Sequence, residues 1–237
     1  MGTDERFQSD QEPLARLVQQ MGGLCEGQVG EAIDSIVRRD SSLAQQVIEA
    51  DARIDGLELA IEKAAVHSLT SRRLEGPELR FALSAIKMAS DLERIGDLAK
   101  NIAKRALVIN RDEPLRVTAG LAGMGRRALL QVKDVLDAFS DQDADRAITV
   151  WRADEDIDEL YNSLFRELLT YMMEDPRTIG LCTHMLFVAK NIERVGDHAT
   201  NIAETLYYLV QGTYVRDERP KGDLTSLTSI SFDKPAT

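Results

Sequence analysis

Glu93 and Asp97 stand four residues apart, and Glu193 and Asp197 repeat the pair later in the chain. On a helix this spacing places both carboxylates on one face, one turn apart. Asp51 with Asp55 and Asp154 with Asp158 do the same. Like charges so spaced cost an isolated helix roughly 0.2–0.5 kcal/mol per pair, and partial burial adds to that by raising carboxylate pKa values. A hard multivalent cation removes the penalty, because oxygen-rich sites suit Mg²⁺, Ca²⁺, Mn²⁺ and iron. One such pair in a chain with 40 acidic residues is ordinarily a solvated helix face. Four at duplicated positions point to metal. Asn101 and Asn201 extend the rows by another turn, and Glu58 and Glu62 continue the row of Asp55, making these four secondary candidates.

Two further residue types recur beside the acids. Gly96 and Gly196 sit inside helical patterns, where glycine costs about 1 kcal/mol against alanine. The missing side chain lets a neighbouring helix or a coordinated ion approach the backbone. Arg94 and Arg194 follow the first acid of each pair, placed either to pair with carboxylates or to meet a partner protein. His67 and His198 do not recur at their counterpart positions and read as incidental, while His184 and Trp151 lie among apolar residues and read as packing. The chain has no Walker loop, GxSxG or Cys/His pairing, so a non-enzymatic protein is expected.

The elements that must carry these residues are helices. Apolar residues recur at i, i+3/i+4 and i+7 almost throughout, from Leu14 to Ile36, Leu43 to Leu69 and Met88 to Ile109, then Leu129 to Phe139, Ile148 to Leu164 and Leu186 to Leu209. EGP (75–77), NRDEP (110–114) and EDP (174–176) interrupt them. DLERIGDLAKNIA (91–103) and NIERVGDHATNIA (191–203) share eight of thirteen residues at an offset of 100, and EADARIDGLE (49–58) matches RADEDIDELY (152–161) at 103. The chain therefore reads as all-α, two tandem three-helix bundles related by internal duplication, six helices in all. The bundles are expected at 13–111 and 112–214, with a flexible N-terminus at 1–12 and a disordered tail at 215–237.

Composition narrows the partners. The net charge of −11 disfavours nucleic acid, which needs a basic stripe. Cys25 and Cys182 form no CxxC pair and read as reduced thiols. The start MGTDERFQSDQEP is not a signal peptide, and no apolar run approaches the roughly 20 residues of a membrane span. A soluble, cytoplasmic protein is expected.

With ERxGDxAxNIA on the third and sixth helices of a duplicated bundle and four E/DxxxD pairs, the sequence resembles the PhoU family from about Leu14 to Gln211. That resemblance implies a cytoplasmic regulator of phosphate homeostasis, which restrains the phosphate-starvation (Pho regulon) response by coupling the Pst phosphate ABC transporter to the PhoR sensor histidine kinase. It also implies a homodimer, at most peripheral to the membrane through its partners. Multinuclear clusters of divalent or trivalent metal ions (iron, Mn, Mg or Zn) would be held by Asp51, Asp55, Glu93 and Asp97 in one half and by Asp154, Asp158, Glu193 and Asp197 in the other. Tyr161 and Phe165 replace Glu58 and Glu62 in the second half, so equal nuclearity or affinity at the two sites is not expected from the resemblance. The alternatives are an accessory subunit of a non-ABC phosphate permease and a metal-free helical scaffold. A ferritin-like di-iron oxidase lacks its ExxH pairs.

Overall fold

The computed structural model of the chain describes residues 4–71, 74–217 and 219. Its helices are α1 (Asp4–Val37), α2 (Ser41–Ala50), α3 (Ala52–Ser71), α4 (Gly76–Ile109), α5 (Thr118–Asp141), α6 (Ala144–Arg152), α7 (Asp154–Glu174) and α8 (Ile179–Gln211). A 3-10 turn, Pro176–Thr178, leads into α8. Among the described residues there is no strand. The six rods read from the sequence are α1, α2–α3, α4, α5, α6–α7 and α8. The second and fifth rods are each interrupted at a single residue, Asp51 and Ala153.

Local chemistry sets the ends, and it repeats with the duplication. Asp40 caps α2 by accepting a hydrogen bond from the Leu43 N–H, and its counterpart Asp143 caps α6 by accepting from Asp145 and Arg146. Arg39 and Gln142, also 103 residues apart, both turn the chain with positive φ, 56° and 54°. Helix α4 starts at Gly76-Pro77, where proline needs no N–H partner, and the Glu78 carboxylate reaches back to the Glu75 N–H. Helix α1 starts at Asp4 and runs on through Pro13, in place of the flexible N-terminus expected to residue 12. Residues 1–3, and 218 and 220–237 of the expected tail, lie outside the described residues.

The long helices α4 and α8 form the broadest helix pair and join the two halves; α1 also packs on α5. Met88, Leu92, Ile95 and Ile102 of α4 and Met185 and Ile192 of α8 are all essentially inaccessible to water. Burying each such side chain is worth about 1.5–3 kcal/mol. The α1–α5 contact is symmetric at the level of single residues. A Cβ on Gly22 would lie 2.3 Å from Leu136 Cδ2, and one on Gly125 would lie 2.7 Å from Ile33 Cδ1. These partners are themselves related by the offset of 103.

Candidate metal centres

Each acidic pair lies where a broken rod meets a long helix. At Asp51 the helical ladder tightens, since the Asp51 carbonyl accepts from both Ile54 (2.8 Å) and Asp55 (3.3 Å). Asp51 is thereby set against α4 and buried, while Asp55 stays exposed. Glu93 and Asp97 face it from α4, partly buried. In the second half Asp154 and Asp158 of α7 are both buried, and so is Glu193 of α8; Asp197 is 31% exposed. The second face is the drier of the two, with the buried Tyr161 ring packed beside Phe165 where the first half carries Glu58 and Glu62. Glu62 is exposed and Glu58 half-buried.

The mid-helix glycines allow close approach of a helix. A Cβ on Gly96 would meet Ile54 Cδ1 at 2.8 Å, and one on Gly196 would meet Ile157 Cδ1 at 2.8 Å and Gln131 Oε1 at 3.1 Å. Ile54 and Ile157 are the residues before Asp55 and Asp158, so the same contact that excludes a side chain docks the acidic face of α3 or α7 on its long helix.

Electrostatics follow from burial. Desolvation, with the Asp97 charge next in weight, pushes the Glu93 carboxyl above its ordinary range. Burial also raises Glu58, helped by Glu62. Glu193 is raised furthest, to about 7, by burial, although Lys190 Nζ donates to its Oε1 at 2.8 Å. Its other oxygen, Oε2, is buried with no hydrogen-bond partner. Asp97 is held below the usual carboxylate range by the hydrogen bond from Lys100.

As the side chains lie, no three histidine, cysteine, aspartate or glutamate side chains among the described residues are grouped to hold an ion. Cationic side chains occupy the points of convergence. Lys100 Nζ lies 2.5 Å from Asp51 Oδ2 and 2.8 Å from Asp97 Oδ1. In the second half Arg219 bridges the equivalent residues, with Nε 2.9 Å from Asp154 Oδ2 and Nη2 2.6 Å from Asp197 Oδ1. An ammonium and a guanidinium thus stand where a bound cation would be attracted.

Other expected residues take various places. Arg94, 58% exposed, pairs loosely with Glu93 and Asp97, and Arg194 is exposed. Asn101 is exposed; the Asn201 carbonyl accepts from Arg219 Nη1, and its amide donates to Asp91. His198 Nδ1 lies 2.8 Å from Asp91 Oδ1, a bond between α8 and α4 that the packing of the two halves creates. Buried Trp151 donates to Glu204. Cys25 and Cys182 are free and buried.

Sequence reasoning missed Lys100, Arg219, Thr200, Gln28 and Gln131. Thr200 Oγ1 donates to Asp154 Oδ1 and accepts from Gln131 Nε2. Gln28 and Gln131 recur at the offset of 103, and both Oε1 atoms are buried without partners beside the glycines. That recurrence was a usable signal. Arg219 lies in an aperiodic tail and gave none.

The duplicated bundle with paired acidic faces defines an all-helical class of protein among the described residues. The PhoU domain matches residues 18–106 and again 121–206, so the chain belongs to the PhoU family. It is 48% identical over 228 residues to the phosphate-specific transport system accessory protein PhoU homolog of Caulobacter vibrioides, covering 94% of this chain and 99% of that one. It is 46% identical to the Rhizobium meliloti homolog, with 93% of each covered. The crystal structure of PhoU from Pseudomonas aeruginosa superposes with a TM-score of 0.85 at 40% identity, covering 87% of this chain and all of that one. The phosphate transport system regulatory protein PhoU from Streptococcus pneumoniae gives 0.82 at 30% identity, covering 88% and 99%. Among the described residues no helix is long and apolar enough to cross a membrane.

Proposed function

We propose that the chain is a metal-binding accessory protein of the phosphate-specific transport system that restrains the phosphate-starvation response when phosphate is plentiful. It acts without catalysis, as a cytoplasmic adaptor and homodimer, between the Pst phosphate ABC transporter and a PhoR-type sensor kinase. The phosphate role is supported by the names of relatives that match nearly its whole length.

The observation that carries the metal reading is the second acidic face, where a buried glutamate oxygen lacks any partner and the charges of Asp197 and Asp158 act on the same carboxyl. The donor chemistry of these residues suits a hard cation, which would have to draw the carboxylates closer than they lie and displace Lys100 or Arg219. Asp154, Asp158, Glu193 and Asp197 would hold it in one half, and Asp51, Asp55, Glu93 and Asp97 in the other, with only oxygen donors. Bound there, such an ion supplies positive charge with positions open to further oxygen ligands, such as phosphate or a partner's acidic side chain. The chain's own residues set the face. Ile54 and Ile157 dock it, Gly96 and Gly196 permit the docking, and Thr200 orients Asp154.

The regulatory reading is tested by deleting the gene and measuring alkaline phosphatase in phosphate-rich medium. High activity, silenced again by the wild-type chain, is the expected result. Low activity in the deletion strain would remove the restraining role and shift the reading toward an accessory of another phosphate permease.

A further inference from the structure

The two acidic faces are neutralised in different ways, and the difference lies in one aligned position. Lys100 and Thr200 are counterparts at the offset of 100. In the first half Lys100 is rooted in α4 and bridges Asp51 and Asp97 from a fixed point. Thr200 offers only a hydroxyl, bonded to Asp154 Oδ1 at 3.0 Å. Its neutral dipole leaves the charges of Asp154 and Asp197 uncompensated, and the cation that meets them comes from beyond the helices.

The route of that segment is built into the fold. Helix α8 ends at Gln211, and Gly212 turns the chain with φ +71°. Tyr214 stacks on Tyr208, ring centroids 4.4 Å apart and planes 10° apart, and Val215 packs on the core. The chain therefore runs back along α8, which brings Arg219 beside Asp197 and Asn201. Its guanidinium donates to Asp154 Oδ2, Asn201 Oδ1, Asp197 Oδ1 and the Asp197 carbonyl. The side chain is only 18% exposed.

We propose that Arg219 is an internal strap on the second acidic face, competing with a metal ion for Asp154 and Asp197, so that cation binding there frees Arg219 and loosens the turn of residues 212–215 that leads to it. This rests on the metal reading above. The first face cannot signal in this way, because Lys100 moves only on its own side-chain stem. Metal occupancy of the second face thus becomes a change in the docking of Tyr214, Val215 and Arg219 along α8, which a partner protein can read.

The test uses the full-length chain stripped with EDTA, in a background of Asp51→Asn with Asp97→Asn so that only the second face titrates. Mn²⁺ is the probe, followed by calorimetry, and a dye on Asp217→Cys, an exposed position two residues before the strap, reports its mobility by anisotropy. If the strap is closed about nine-tenths of the time, Arg219→Gln tightens Mn²⁺ binding about tenfold. Without metal, Arg219→Gln lowers the anisotropy, and so does Asp154→Asn with Asp197→Asn; Mn²⁺ lowers it in the parent chain only. Equal Mn²⁺ affinity and equal anisotropy in parent and Arg219→Gln chains would overturn the strap and leave the metal reading standing. Absence of Mn²⁺ binding in either chain would remove the metal reading, and the metal-free anisotropy alone then decides whether the strap exists.

Discussion

Glu193 concentrates the tension of the second face, since one oxygen is held by Lys190 and the other is buried without a partner. A carboxyl whose pKa rises on folding, here to about 7, holds its proton more tightly in the folded chain. The resulting destabilisation is absent below the unfolded value of about 4.3 and complete only above the folded one. In EDTA, Glu193→Gln is therefore expected to match the wild type in thermal unfolding at pH 4.5 and to exceed it at pH 8. About 2–4 °C is the gain that 1 kcal/mol gives a chain of this size. An equal difference at both pH values would contradict the burial argument. That Asp51 lies with Asp97, and Asp154 with Asp197, was legible from sequence because duplication marks these acids. Their cationic partners were not. Lys100 differs from its counterpart Thr200 and so breaks the repeat, and Arg219 reaches its place only through a turn at Gly212 and the stacking of Tyr214.

The helix elements owe their register to contacts that the duplication copies. Gly96→Ala gains helix propensity, about 1 kcal/mol, but brings a methyl group to 2.8 Å from Ile54 Cδ1, and overpacking of this kind costs about 1–3 kcal/mol. Chemical denaturation is expected to show a net loss of about 1 kcal/mol, partly recovered when Ile54→Val removes the clashing carbon. Additive effects of the two changes would mean that they do not touch. Gly196→Ala is expected to lose more than Gly96→Ala, since Gln131 Oε1 crowds the same point. Asp40→Ala and Asp143→Ala should each cost about 1 kcal/mol of stability through loss of a helix cap. The six rods were legible because the apolar stripe keeps its helical period along each of them. The interruptions at Asp51 and Ala153 were not, since the stripe runs on through both, from Val47 to Ile54 and from Val150 to Ile157.

At the scale of the whole molecule, the α4–α8 seam joins the two halves and carries an acidic pair on each of its helices. The breadth of that seam, with the Asp91–His198 bond across it, makes the halves one body. That contact was beyond the sequence, which specified each bundle by its period but held no signal for how one bundle meets the other. The same geometry places cations at both points of carboxylate convergence, and it frames the central claim that these faces bind metal. The most direct measurement is the metal content of the purified, metal-refilled chain, compared with the same chain carrying Asp97→Asn and Asp197→Asn. The account predicts tightly bound metal in the wild type and its loss in the double variant while the fold is retained by circular dichroism. Negligible metal in the refilled wild type, or equal metal in both chains, would contradict it.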